Sequence, residues 1–229
     1  DGLLDVIVLD MLPDEEKIRV QSGGEDEYDL YLMKIGYGYG YQFVRNNLQL
    51  NLGDGIFSEI GRLSGIFATD WSWGPLFCDV DNDGLKDIFI ANGIYRRAND
   101  LNYVKFLTDN EFFSAEDNKN TPDKVLYEKM PLYPCYNFIF RNNGDLTFTN
   151  MAKEWGFDTR SFSNGSVYAD LDNDGDLDLV ANNINEPAYI YRNNASETRD
   201  NHFLSFVLKG KGLNPFAIGT RITIFSNKE

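Results

Sequence analysis

The feature that most constrains this chain is a nine-residue acidic loop that occurs twice. It spans residues 79–87 and 170–178, with aspartate at the first, third, fifth and ninth places and glycine at the sixth. Carboxylates at alternate places of a tight turn can converge on one cation, and glycine allows the positive φ that such a turn needs. An acidic surface turn without metal is the alternative, but four carboxylates in nine residues repel one another. We therefore predict a calcium site in each loop.

Each predicted site combines side-chain carboxylates with the backbone carbonyl of the seventh residue, because calcium takes about 6–8 oxygen ligands. The predicted ligands are Asp79, Asp81, Asp83, Leu85 and Asp87 in the first loop and Asp170, Asp172, Asp174, Asp176 and Asp178 in the second. The chain opens on a sequence that matches the last five places of the loop. Asp1 and Asp5 are therefore predicted ligands of a third loop, and we expect the chain to begin inside a repeat.

The loop is not an EF-hand, because that motif requires a glutamate at the twelfth place and an exiting helix. Here the twelfth residues are Ile90 and Ala181, which lie in short apolar runs rich in β-forming residues. Such runs are typical of buried strands. Each loop is therefore predicted to join one strand to another.

Similar residues surround both loops at a spacing of 91 positions, which indicates an internal repeat. Phe57 matches Phe148 and Gly74 matches Gly165, and Arg-Asn-Asn tripeptides stand at 45–47 and, slightly shifted, at 141–143. A third Arg-Asn-Asn follows a predicted strand at 188–191. Each unit reads as about four short strands joined by turns, which is typical of a β-propeller blade.

The segments outside the repeat differ in character. An insertion at 95–135 is predicted to hold short helices at 100–107, 110–116 and 124–128, the first capped by Asp100. Residues 13–28 are predicted to form a long surface loop, and 203–208 and 218–225 are predicted strands. We thus predict an all-β fold of propeller blades over 1–199, with a mixed helical insertion, and the start of a second β-domain over 200–229.

Two aromatic groups could contact ligands. Tyr37, Tyr39 and Tyr41 alternate with glycine and are predicted to share one face of a strand, as are Trp71 and Trp73. They would either form a stacking surface for sugars or for a protein, or pack between neighbouring blades. We favour packing between blades, because stacked blades need bulky residues at their interfaces.

The net charge of −15 over 229 residues argues against a nucleic-acid partner, because phosphate contacts require a Lys- and Arg-rich surface. Two cysteines, Cys78 and Cys135, do not amount to a disulfide framework, although one bridge between them would be compatible with the sequence. Cys78 is predicted to be a small core residue. The sequence contains neither a signal peptide nor a transmembrane span.

The paired loops, preceded by Ser-x-Gly, resemble the FG-GAP/VCBS repeats of integrin-α-like β-propellers. The segment from Asn201 to Ile222 resembles the start of an ASPIC/UnbV domain. This pairing is found in exported and outer-membrane proteins, many from Bacteroidota, and in the cartilage acidic protein family. The resemblance implies a seven-bladed propeller in which calcium holds each blade's loop, and this chain would supply about three blades.

The sequence offers little that indicates catalysis. The one histidine, His202, has no nucleophile that can be paired with it, and calcium accounts for most clustered acids. We predict a calcium-stabilised, non-catalytic module that binds a protein or glycan at the cell surface or outer membrane. The alternatives are a subunit of an outer-membrane transport or secretion assembly, and a propeller-based lyase or hydrolase acting on carbohydrate.

Overall fold

The computed structural model describes residues 2–23, 28–109, 123–198 and 204–225. Within these ranges the chain forms antiparallel sheets joined by short helices, which confirms the all-β class. The described strands do not close into a propeller ring. Among the described residues, no helix combines the length and apolar character needed to cross a membrane.

The strands are β1 Val6–Val8, β2 Asn47–Asn51, β3 Phe57–Glu59, β4 Ser72–Cys78, β5 Asp87–Asn92, β6 Cys135–Tyr136, β7 Phe138–Asn142, β8 Phe148–Asn150, β9 Arg160–Ser161, β10 Ser163–Ala169, β11 Asp178–Asn183 and β12 Tyr189–Tyr191. The helices are α1 Glu16–Gln21, α2 Tyr28–Gly36, α3 Gly61–Ser64, α4 Leu101–Asp109, α5 Asp123–Lys129 and α6 Ala195–Thr198.

A four-stranded sheet in the order β4-β5-β7-β8 lies at the centre of the fold. Its strand β5 is buried along its whole length, as the apolar run after the first loop predicts. Ile88 and Ile90 point into one core, which also contains residues of β2 and β7. Phe89 and Ala91 point into a second core shared with β11. Successive side chains of a strand face opposite sides of the sheet. The side chains of β5 therefore pack into both cores, and the central sheet lies between its two neighbouring sheets.

The neighbouring sheets are β1-β2-β3 and β10-β11-β12, and each reproduces three strands of the central sheet. A repeated hydrogen bond sets the equivalence. The backbone N–H groups of Asn51, Asn142 and Asn193 donate to Asp5, Asp87 and Asp178 at 2.8, 2.9 and 2.8 Å. The sheet β1-β2-β3 therefore corresponds to β5-β7-β8, and β10-β11-β12 corresponds to β4-β5-β7.

This equivalence corrects the alignment of the tripeptide at 45–47. Asn51, rather than Asn46, corresponds to Asn142, so the 91-residue spacing holds without a shift. Asn46 corresponds instead to Asn137, since both are buried and accept a backbone N–H, from Asp10 and Asn92 respectively, at 2.9 Å.

The insertion folds back onto the segment before α2. Helix α4 begins where predicted, and the Asp100 carboxylate accepts the N–H groups of Asn102 and Tyr103 at 3.0 Å. Helix α5 confirms the predicted turn at 124–128, whereas the predicted helix at 110–116 lies outside the described residues. The prediction of a long surface loop over 13–28 is wrong, because α1 forms there and buries Ile18.

A buried ion pair lies where the insertion meets the central sheet. The Arg97 guanidinium is 2.6 Å from the Asp70 carboxylate, and both side chains are largely inaccessible to solvent. Arg97 also lies over the rings of Trp71 and Tyr133. The ion pair and the rings together fix the start of the insertion against the residues that lead into β4.

Other expectations about aromatic and terminal segments are corrected. Tyr37, Tyr39 and Tyr41 follow α2 in irregular backbone and are exposed, so the predicted strand there is wrong. The Trp73 indole N–H donates to the Gly93 carbonyl at 2.9 Å, which is a structural contact. The described residues 204–225 contain no strand, because they pair with no other described segment and their apolar side chains stay exposed.

The two cysteines are free and buried. Cys78 belongs to the core between the central sheet and β10-β11-β12, as predicted, and Cys135 lies in β6 beside Asp70. Burial and, to a smaller extent, the nearby carboxylates of Asp87 and Asp70 together raise the pKa of Cys78 and Cys135 to about 12. The thiols are therefore protonated and unreactive in the folded protein.

We expect that replacing Arg97 with methionine lowers the free energy of unfolding by about 3–5 kcal/mol, because Asp70 is left as an uncompensated buried charge. Adding Asp70→Asn should restore part of that loss, since asparagine tolerates the left-handed backbone at this position, where φ is 76°. Urea titration of the two single variants and the double variant measures the coupling. If the double variant loses as much free energy of unfolding as the two single variants together, the ion pair is not important for stability.

We also expect iodoacetamide at about pH 8 to label neither thiol in the folded chain and both thiols after unfolding in guanidinium, because the thiolate is the reactive form. Intact-mass measurement counts the adducts. Rapid labelling of the folded chain would show that the cysteines are not buried. A mass lower than that of the reduced chain by two hydrogen atoms after unfolding would show a disulfide bridge.

Candidate metal centre

Both acidic loops lie at the same end of adjacent sheets. The loop at 79–87 joins β4 to β5, and the loop at 170–178 joins β10 to β11, as predicted. The loops also contact each other, since the Asn82 side-chain amide donates to the Asp176 carboxylate at 2.7 Å. Close approach of β4 and β10 is possible because Gly74 has no side chain, and the Ser166 hydroxyl donates to its carbonyl at 2.6 Å.

Each loop brings three of its predicted ligands together. In the first loop, one carboxylate oxygen each from Asp79, Asp81 and Asp87 lies within 4.8 Å of the others. In the second loop the same holds for Asp170, Asp172 and Asp174. These clusters could hold a metal ion. The two loops therefore share the first and third places and differ in the remaining member of the cluster.

The fourth and sixth places of both loops adopt left-handed backbone conformations. Asn82 and Asn173 have φ of 55° and 63°, and Gly84 and Gly175 have φ of 88° and 93°. Glycine and asparagine are the residues that tolerate this region best. The sequence analysis explained the glycine but missed the asparagine, although asparagine occupies the fourth place in both copies.

The first carboxylate of each loop also holds the turn. Asp79 accepts the backbone N–H groups of Asp83 and Gly84 at 3.1 and 3.0 Å. Asp170 accepts that of Gly175 at 3.1 Å. These hydrogen bonds keep the first carboxylate turned into the loop, where it faces the third.

Two backbone N–H groups hold the ninth carboxylate of each loop. Asp87 accepts N–H groups from Val80 and Asn142, and Asp178 accepts them from Leu171 and Asn193, all at 2.8–3.0 Å. The asparagine side chain then donates to the carbonyl of the eighth residue of the loop. This clamp gives the asparagine of the Arg-Asn-Asn tripeptides at 141–143 and 192–194 a role that sequence reasoning missed.

The remaining predicted ligands point elsewhere or act through the backbone. The Asp83 carboxylate accepts the Leu85 N–H at 2.8 Å and lies outside its cluster. The Asp176 side chain is fully buried and accepts from Asn82 and Ser196. The Asp176 carboxylate lies outside the second cluster, and the predicted role of the carbonyl of the seventh residue as a ligand stays a prediction.

Arg192 is a second residue that the sequence analysis did not identify. Its guanidinium is 2.8 Å from Asp172 and 3.4 Å from Asp174, and it also contacts Glu197. A cation that binds the second cluster would share these carboxylates with an arginine. An arginine therefore already lies beside the second cluster.

The electrostatics of the first cluster suit a bound cation. The pKa of the Asp87 carboxyl is raised to about 6, because burial and the charges of Asp81 and Asp83 raise it by more than the N–H groups of Asn142 and Val80 lower it. Carboxylate oxygens are hard donors that match hard divalent cations. The donor set therefore fits the predicted kind of ion.

The opening loop is described only in part. Asp5 accepts the Asn51 N–H at 2.8 Å, and the Asn51 side chain donates to the Leu4 carbonyl at 3.1 Å. Asp5 thus occupies the ninth place of the loop, as the sequence predicts. Asp1 lies outside the described residues, so its predicted role as a ligand stays a prediction.

Comparison with known families agrees with this architecture. Residues 109–181 match a family model described as an FG-GAP-like repeat. The matched range contains β7 to β10 and the whole second loop, and it covers just under a third of the chain. This match confirms the FG-GAP part of the resemblance and supports a β-propeller-like module. No curated protein matches the chain.

We expect calcium to raise the melting temperature and EDTA to lower it, because a ligand that binds the folded chain stabilises it by about 2.7 kcal/mol per site at 100 times Kd. For a chain of this size each kcal/mol corresponds to about 2–4 °C. Asp170→Asn removes one charge from the second cluster and should reduce the response. Asp158→Asn, an exposed aspartate outside both loops, is the matched control.

Differential scanning calorimetry with and without calcium measures the response of each variant. An unchanged melting temperature of the unaltered chain in EDTA would show that the loops are acidic turns without metal. An equal loss of response in both variants would show that net charge, rather than the cluster, determines the effect.

Proposed function

We propose that this chain is a calcium-stabilised part of an exported β-propeller that binds a protein or glycan at the cell surface and catalyses no reaction. The observation that carries the proposal is the clustering of carboxylates in two neighbouring loops at one end of stacked sheets. Carboxylates that are held together in this way restrain the strands that their loops connect, which is a structural role. The opposite end of the sheets is then available for recognition.

Asp79, Asp81 and Asp87 would hold one calcium ion, and Asp170, Asp172 and Asp174 would hold the other. A bound ion would supply positive charge that offsets the repulsion among these carboxylates. The chain's own contribution is to orient the oxygens through the clamps of Asn142 and Asn193. Kd values of about 10⁻⁴–10⁻³ M are typical of extracellular calcium modules, which would suit an exported protein.

The proposal of a non-catalytic role rests on the state of the reactive groups. Both thiols are buried with raised pKa values and are poor nucleophiles. Asp79, Asp87 and Asp170 accept backbone N–H groups, and Asp172 and Asp174 contact Arg192. These groups are held as structural elements would be, rather than as an acid and a base that face an open cleft.

The finer part of the proposal concerns the whole architecture. The sheets would be blades of a seven-bladed propeller of the Bacteroidota type, and residues 200–229 would belong to an ASPIC/UnbV-like domain. The exposure of apolar residues such as Val207, Leu213 and Phe225 supports a separate domain, because these side chains find no partner in the described sheets.

A glycan microarray and affinity capture from cell-surface extracts, each run with calcium and with EDTA, test the function. The expected result is a ligand whose binding requires calcium, with no new reducing ends and no unsaturated products when the same polysaccharides are incubated with the chain. Asp170→Asn should weaken binding at limiting calcium, and Asp158→Asn should leave it unchanged.

Release of product from any polysaccharide would replace this proposal with a carbohydrate-active enzyme. Calcium-independent binding would separate recognition from the loops. Co-purification with an outer-membrane transport or secretion component, without binding to any glycan or free protein, would favour an assembly subunit.

A further inference from the structure

A groove lies away from the acidic loops, between α2 and the start of β2. It encloses about 780 Å³, which falls within the range of about 300–1,000 Å³ that is usual for ligand sites. Asn47 lines it, and this residue pairs with Val8 at the end of β1 opposite to the loop aspartate Asp5. The groove therefore opens at the end of the sheet that the predicted calcium sites do not occupy.

Four aromatic rings line this groove: Tyr28, Tyr31, Tyr41 and Phe43. Tyr28 and Tyr41 are 72% and 75% exposed, so most of the surface of each ring is open to solvent. The Tyr31 and Phe43 rings lie 6.4 Å apart with an interplanar angle of 32°, which makes a tilted apolar wall. Exposed aromatic rings of this kind present flat faces to the C–H groups of a ligand.

Three cations line the same groove in a chain whose net charge is −15: Lys34, Arg45 and Arg62. The lining contains one carboxylate, that of Asp10. Arg45 is held by Glu59 at 2.9 Å and lies over the Phe43 ring. Among the described residues no carboxylate forms an ion pair with Arg62, which lies over the Phe67 ring on an exposed turn.

At physiological salt the Debye length is about 8 Å, so the local charges of a groove, rather than the net charge of the chain, determine what it attracts. This groove combines positive charge, open rings and the amides of Gln42 and Asn47. A sugar that carries an acid group matches all three, with a flat C–H face for the rings, hydroxyls for the amides and an anion for the guanidinium. An acidic peptide supplies the anion but no comparable flat apolar face.

We propose that this groove, which we call the tyrosine groove, binds an acidic glycan whose sugars carry carboxylate or sulfate groups. The inference rests on the proposed function and deepens it, because it names the ligand class of the recognition module. Tyr41 stacks on a sugar ring, and Arg62 pairs with the acid group. Recognition thus occurs at the end of the sheets opposite to the predicted calcium sites.

Isothermal titration calorimetry of the calcium-loaded chain with three tetrasaccharides tests the inference. Tetragalacturonate carries carboxylates, chondroitin sulfate tetrasaccharide carries sulfates as well, and cellotetraose is neutral. We expect an acidic tetrasaccharide to bind about tenfold more tightly than cellotetraose, as expected for a difference of one charged hydrogen bond. Binding of tetragalacturonate identifies carboxylate as sufficient, and binding of chondroitin sulfate alone identifies sulfate.

Two variants and two matched controls locate the site. Tyr41→Ala and Arg62→Gln should each weaken binding by about threefold to tenfold, because each removes one exposed contact. Tyr39→Ala and Arg221→Gln remove an exposed tyrosine and an exposed arginine outside the groove and should leave affinity unchanged. Matching melting temperatures of all four variants would show that the fold is intact.

Equal affinity for cellotetraose, no binding of either acidic tetrasaccharide, or identical affinities of all four variants would overturn the inference. A hexaglutamate peptide that binds with the same dependence on Tyr41 and Arg62 would also overturn it in favour of an acidic protein ligand. If a ligand binds in a calcium-dependent way and neither groove variant changes its affinity, this inference is wrong but the proposed function still holds.

Discussion

A buried carboxylate at the ninth place of each acidic loop ties three parts of the chain together. Asp87 and Asp178 each accept an N–H from the start of their own loop and another from the end of the neighbouring strand. In the sheet β1-β2-β3, Asp5 makes the equivalent of the second contact, because it accepts the N–H of Asn51. Because an unpaired buried carboxylate costs several kcal/mol, the loop, the strand that follows it and the strand beside it must adopt one arrangement together.

The clamp explains why the acidic clusters can form at all. Backbone N–H groups hold the first and ninth carboxylates in place, and the left-handed residues at the fourth and sixth places bend the chain between them. What remains is a concentration of negative charge that an arginine relieves in the second loop, and that a cation would relieve in both. The raised pKa of Asp87 reflects the same unrelieved charge and burial.

The two ends of the stacked sheets differ in their chemistry. One end carries the acidic loops, which contact each other through Asn82 and Asp176. The other end carries the insertion, which is held by the buried pair of Arg97 and Asp70, and the tyrosine groove. Since strand β5 is buried on both faces, the proposed binding module would recognise its ligand through the loops and segments at the ends of the sheets.

The sequence by itself determined the features that depend on neighbouring residues. The acidic loops, the buried strand at 88–91, the Asp100 cap and the short helix after residue 123 follow from local spacing, propensity and capping, and the structure contains all of them. The register of Asn51, the ion pairs of Arg192 with Asp172 and Asp174, and the burial of Arg97 needed the tertiary structure, because these partners are 18–46 positions away. The tyrosines at 37–41 and the residues at 204–225 have the composition of strands but pair with no strand in the described part of the chain, and a strand forms only when its backbone groups are paired.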